Sequence, residues 1–151
     1  DIDGAMTQQG IELFVASYQG RVAALDSRTG RKLWQQNVSS VTGTHVGFGN
    51  VYVADVDGTL SAFLRTGPGV RWQNIELGYR QLSRPTPVSS YVATVDFDGY
   101  LHLLSQVDGQ IVGRAKIGGD AARADMIADS GRLIIFADNG QLLAYELETL
   151  D

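Results

Sequence analysis

Four stretches of the chain repeat one pattern, an apolar run of β-branched and aromatic residues closed by a polar residue and Gly: 13–20, 51–58, 92–99 and 133–140. The closing glycines stand at 20, 58, 99 and 140, with spacings of 38, 41 and 41. Behind each Gly a second run begins (22–25, 60–63, 101–104, 142–145), in which apolar positions recur with period two. That period sends successive side chains to opposite faces and predicts paired strands. The junctions Gln-Gly, Asp-Gly, Asp-Gly and Asn-Gly predict tight hairpins with primed turns, because Gly, Asn and Asp accept the positive φ such turns demand.

Two further strands are predicted for each unit. A short run before the hairpin, for example Pro87-Val-Ser-Ser ahead of Tyr91, is expected to be innermost. After the hairpin, the turn Asp26-Ser-Arg-Thr-Gly30 leads into Lys32-Leu-Trp34, and Val107-Asp-Gly109 leads into Gln110-Ile-Val112. No helical periodicity extends over ten residues, and 119–125 is the one short helix-like stretch. A unit near forty residues holds about four strands of five or six residues with their turns, the content of a propeller blade. The fold class is therefore all-β: a β-propeller of four roughly 40-residue blades at 1–38, 41–76, 82–118 and 123–151. Fourteen residues beyond the hairpin glycines lie Trp34, Trp72 and Gly113, but the fourth such position falls past residue 151. The last blade is expected to lack its outer strand.

Composition narrows the function. With 44% hydrophobic and 19% charged residues the chain is globular rather than disordered. The 18 Gly against 3 Pro fit many turns between short strands. Without Cys there is no disulfide framework, thiolate metal site or cysteine nucleophile. No apolar run is long enough to span a bilayer as a helix. The opening residues carry no signal peptide, and a chain beginning at Asp1 is expected to be a piece of a longer one. Net charge is −5, and apart from Arg28, Arg31 and Lys32 the basic residues are scattered. A protein that neutralises phosphates needs them clustered, so nucleic acid is not an expected partner.

The first repeat reads Ala24-Leu-Asp26-Ser-Arg-Thr29-Gly30-Arg-Lys-Leu-Trp34 and resembles the tryptophan-docking motif of quinoprotein-type blades. Thr-Gly turns the chain into the outer strand, and the Trp ring is large enough to fill the gap to the next blade. The second repeat keeps Ala62 and Trp72 but has Leu64 at the Asp position; the third keeps Asp108-Gly109 but has Gly113 for Trp. WD40 and kelch signatures are absent. Along its whole length the chain resembles the C-terminal half of the BamB family, the lipoproteins of the outer-membrane β-barrel assembly machinery. The residues that carry this are the blade motif, Asp1-Ile-Asp3, Ala16-Ser-Tyr18-Gln-Gly20, 80–88 and Asp98-Gly-Tyr100-Leu. The resemblance implies half of an eight-bladed ring whose final outer strand comes from the N-terminal part. It also implies a non-catalytic scaffold at the periplasmic face of the outer membrane, binding the POTRA domains of BamA within the assembly complex, with unfolded outer-membrane proteins as clients. Asp1 and Asp3 match a family Asp-x-Asp that contacts the partner. Loop carboxylates pair with Lys or Arg and fix register more than they add affinity; the alternative is two solvated terminal acids. Asp26, Thr29, Gly30, Trp34 and Trp72 are expected to pack the blades.

The same blade motif occurs in pyrroloquinoline-quinone dehydrogenases, which need a calcium site and a polar cluster around the quinone. No such cluster is recognisable, so no catalytic, cofactor or metal residue is expected. His45 and His102 are isolated in sequence, and His102 is expected to be a blade-packing or surface residue rather than a ligand. The segments 55–58 and 96–99 lack the third acid and the Glu of an EF-hand, and hairpin turns explain them. A generic propeller interaction module remains open, including self-pairing of two copies to complete a ring.

Overall fold

A computed structural model describes residues 2–18, 20–118 and 120–148. Its described residues form four antiparallel sheets and no helix, including at the helix-like stretch near 120. The first sheet runs β1 (Thr7–Gln9), β2 (Glu12–Ala16), β3 (Arg21–Asp26), β4 (Lys32–Asn37). The second runs β5 (Thr44–Gly47), β6 (Asn50–Ala54), β7 (Leu60–Leu64), β8 (Val70–Asn74), and the third β9 (Thr86–Val88), β10 (Tyr91–Val95), β11 (Tyr100–Ser105), β12 (Ile111–Lys116). The fourth has three strands, β13 (Ile127–Asp129), β14 (Arg132–Phe136) and β15 (Leu142–Glu146). The innermost strands β1, β5, β9 and β13 are neighbours in turn, which stands the sheets side by side as propeller blades. The third inner strand runs Thr86–Val88 and so ends short of the expected 87–90, because Ser89 already turns with φ +50°.

Period-two alternation with both faces buried explains the cores. In β6, Val51 and Val53 pack with Phe14, Val22, Ala24 and Trp34 of the first sheet. Tyr52 and Ala54, pointing the other way, pack with Trp72 and with Val92 and Leu104 of the third. Likewise Ala93, Val95 and Leu101 of the third sheet meet Leu133 and Ile135 of the fourth. Each core is thus shared by two blades, and none belongs to one sheet alone.

The hairpin turns differ from the primed turns expected. Gly58, Gly99 and Gly140 do adopt positive φ (88°, 77°, 87°), but the residues before them do not. The loop is one residue wider. The glycine amide bonds back three positions, Gly58 to the Asp55 carbonyl and Gly99 to the Asp96 carbonyl, each at 3.0 Å. The reason lies in the side chain that opens the loop: Asp55 Oδ1 accepts the amides of Asp57 and Thr59, and Asp96 Oδ1 those of Asp98 and Tyr100. A carboxylate that satisfies two turn amides favours this loop over the two-residue alternative.

Candidate partner-binding face

At one end of the inner strands the chain assembles a charged, partly open surface around Arg84, in the segment leading into β9. Its guanidinium reaches all four sheets or their leading segments. Nε and Nη2 donate to the Thr44 carbonyl of the second sheet (2.8 and 2.6 Å), and Nη2 also donates to Thr7 Oγ1 of the first (2.9 Å). Nη1 donates to Asp125, just before the fourth sheet, at 2.8 Å. Pro85 follows directly and removes the α region from Arg84, keeping the approach extended. Burial, and then the Arg84 charge, push the half-buried His45 imidazole below its ordinary value, so it is neutral at pH 7.

Asp3 stands exposed at the rim of this surface, on a hollow of about 360 Å³ that it shares with Arg84, Arg123 and Asp125. The following residues anchor it. Ala5 forms a parallel bridge to Gly43, and its carbonyl accepts the Thr44 amide at 3.0 Å. The approach is so close that a Cβ on Gly4 would lie 2.2 Å from the Gly43 nitrogen. Asp1 lies outside the described residues. Arg84, Arg123 and Asp125 were not singled out in sequence, since their partners are distant along the chain; Pro85 and Pro87, which follow Arg84, were the available signal.

Of the blade motif, Trp34 and Trp72 reach the next sheet, whereas Asp26, Thr29 and Gly30 bond within their own turn and make no hydrogen bond across a boundary among the described residues, since their polar groups are used in closing that turn. Asp26 Oδ1 accepts the amides of Arg28 and Thr29 (2.9 and 3.2 Å), which lowers its carboxyl below the usual range. Thr29 Oγ1 accepts the Arg31 amide, and Gly30 closes the turn at φ +71°. Trp34 is buried and donates its indole N–H to the Arg65 carbonyl of the next sheet at 2.9 Å; Trp72 donates to the Gln106 carbonyl of the sheet after it at 3.1 Å. Two residues beyond each Trp an amide side chain repeats the gesture, Gln36 to the Pro68 carbonyl and Asn74 to the Gly109 carbonyl. At the corresponding place in β12 stand Gly113 and Ala115, with neither group.

A buried polar cluster was also missed. Asp96 Oδ2 accepts from His102 Nε2 at 2.8 Å and from Arg80 at 3.0 Å, with both Asp96 and His102 essentially inaccessible. His102 Nδ1 has no hydrogen-bond partner among the described residues, so the imidazole joins the cluster through Nε2 alone. Burial raises the Asp96 carboxyl, but the bonds from His102, the Tyr100 amide and Arg80 outweigh it and hold it below its ordinary value. The alternating register of β10 and β11 could have signalled this meeting of residues six apart across a hairpin. Among the described residues no three His, Asp or Glu gather where a metal ion could sit.

Comparison with known proteins follows this geometry. Residues 1–74 match the family model described as outer membrane protein assembly factor BamB. The chain is 48% identical over 123 residues to the factor of that name from Pseudomonas aeruginosa, covering 82% of this chain and 32% of that one. It is 34% identical over 122 residues to the one from Bordetella pertussis, covering 80% and 32%. The chain thus spans about a third of the length of the curated relatives it matches. The crystal structure of BamB from Moraxella catarrhalis superposes with a TM-score of 0.89 at 32% identity, covering 97% of this chain and 44% of that one. Quinohemoprotein alcohol dehydrogenase from Comamonas testosteroni is similar in fold alone, with a TM-score of 0.73 at 15% identity, over 89% of this chain and 29% of that one. Repeat spacing, shared cores, Trp docking and these similarities agree, and the chain belongs to the BamB family of outer membrane protein assembly factors.

Proposed function

We propose that this chain is part of a non-catalytic scaffold of the β-barrel assembly machinery, acting at the periplasmic face of the outer membrane. In this reading it holds the POTRA domains of BamA on the face that carries Asp3, and so assists folding and insertion of outer-membrane β-barrel proteins. The observation that carries the reading is the 48% identity to a named assembly factor over most of the chain. The geometry adds a physical rationale. Asp3 is exposed, and the pinned Gly4–Ala5 backbone presents it without a large ordering cost on association. A carboxylate so placed suits a Lys or Arg of the partner and acts mainly on encounter rate and register. Asp96 and His102, the acid and imidazole that come together, are closed off from solvent and serve packing. The likeness to a quinohemoprotein dehydrogenase is at the level of fold, and no observation favours that activity here.

The test is binding of a BamA POTRA fragment to the full-length protein, with and without Asp1→Ala combined with Asp3→Ala. The double change is expected to lower the association rate several-fold, with a flatter dependence on salt, as loss of a steering pair does. Binding untouched by the change removes these residues from the interface. Absence of binding by the unmodified protein overturns the scaffold reading itself.

A further inference from the structure

The hairpin loops carry a second pattern beyond their glycines. The residue after each loop opener is Tyr18, Val56, Phe97 and Asp138, so three of four turn tips are apolar where polar residues are the norm. They are not buried by way of compensation: Tyr18 is 46%, Val56 44% and Phe97 49% exposed. Nor are the last three tips loose. The Val56 amide donates to the Ser39 carbonyl, Phe97 to Arg80 and Asp138 to Ala121, each within 3.0 Å and each to the segment that leads into the inner strand of its own sheet. Rigid backbone therefore holds apolar side chains in water.

Val56 and Phe97 stand on the walls of a cleft of about 480 Å³ at the end of the second, third and fourth sheets, joined by Val41, itself 49% exposed. Its floor is Leu82, Val95 and Ala122, all buried. The volume is that of a site for a small ligand or a protruding side chain. Asp55, Asp138 and Arg123 are the charged residues that line the cleft. Asp55 and Asp57 flank Val56 and form no ion pair among the described residues, whereas the nearby cations are engaged, Arg123 with Asp138 at 2.7 Å and Arg80 with Asp96 at 3.0 Å. Val41, Thr42 and Arg123 also line the hollow that holds Asp3, so the cleft runs on along the same face as a groove.

We propose that this cleft receives an apolar side chain of a protein segment whose neighbouring residues are Lys or Arg. The apolar floor supplies the burial, and the charges of Asp55 and Asp57, neither held in an ion pair among the described residues, select the flanking charge. The open groove suits a segment in extended form rather than a compact ligand. This site does not depend on the role given to Asp3.

The probes are three blocked peptides, one built around Lys-Leu-Lys, one around Glu-Leu-Glu and one around Lys-Ser-Lys, titrated into the full-length protein with methyl-labelled Val and Leu. The Lys-Leu-Lys peptide is expected to shift the methyl resonances of Val41, Val56 and Leu82 saturably. The Ser peptide should leave them in place, and the Glu peptide should bind about fivefold more weakly, in keeping with the small value of exposed ion pairs. Asp55→Asn with Asp57→Asn should erase the preference between the Lys and Glu peptides, while Val56→Ser should weaken the Lys-Leu-Lys peptide about tenfold. The titration of the unmodified protein stands even where a variant folds poorly. No saturable shift, shifts outside the cleft, equal binding of the Lys and Glu peptides, or methyl shifts that follow protein concentration alone, as for a second copy, would each overturn the proposal.

Discussion

The boundary between the second and third sheets and that between the third and fourth solve one problem in two ways. At the former, Trp72 lies across Gly109 so closely that a Cβ there would come within 2.3 Å of the ring, and its N–H and the Asn74 amide both hold carbonyls of the next sheet. The face it covers also carries Thr94, Asp96 and His102, which share the alternation of Val92 and Leu104. At the latter, Gly113 and Ala115 supply no ring and no amide, and Ile117, Met126, Leu133 and Ile135 pack instead. One boundary is directional, built of bonds that tolerate a single alignment. The other is apolar through its core, with the Arg84–Asp125 pair at its inner end as its one side-chain ion pair among the described residues.

The sharpest way to break this contrast is Trp72→Ala. Loss of a buried indole and of the bond to Gln106 is expected to cost about 4 kcal/mol in urea unfolding, against about 2–3 kcal/mol for Ile117→Ala at the apolar boundary. Equal losses would mean that directionality adds nothing there.

Next comes Asp96→Ala, expected to cost about 3 kcal/mol because it strands His102 and two turn amides. The pH dependence has a definite sign. The folded Asp96 carboxyl lies below its unfolded value, so its contribution is present above about pH 4 and is lost as pH falls through the folded value. Urea midpoints followed from neutral pH into acid should fall for the unmodified chain and fall less for Asp96→Asn.

The smallest effects carry opposite signs. Gly109→Ala meets the Trp72 ring at φ +75° and should destabilise by about 2 kcal/mol. Gly113→Ala, whose Cβ would sit 3.4 Å from Leu103, should gain about 0.5 kcal/mol by restricting the unfolded chain. Thermal midpoints of the two variants on either side of the parent value would confirm the comparison; a shared direction would refute it.

The strands were legible in the sequence because period-two alternation and the glycine spacing are local signals, and Gly58, Gly99 and Gly140 sit where that ruler put them. Loop width was not, because it depends on Asp55 and Asp96 as side-chain acceptors, and an Asp-Gly pair reads the same in either loop. Gly109 read as a turn residue; its second duty, to lie bare under Trp72, needs a neighbour 37 positions away in sequence. The face around Arg84 was the least legible part. Its partners lie 77, 40 and 41 positions off, and no local pattern encodes such a meeting. Asp3 was visible through the resemblance to the assembly-factor family, while what surrounds it came from the fold.

Arg84 also bears on how the molecule comes apart. Sheets that touch their neighbours alone behave as a one-dimensional stack, able to form and fray one unit at a time from either end. Their hairpins close in about microseconds, long before strands forty residues apart must meet. A guanidinium that grips Thr7, Thr44 and Asp125 together completes its bonds last, after every sheet is in place, and ties the first sheet to the approach of the fourth. Displacing either the first sheet or the approach of the fourth then breaks a bond of the same guanidinium, so the inner ends of the four sheets are coupled through one side chain.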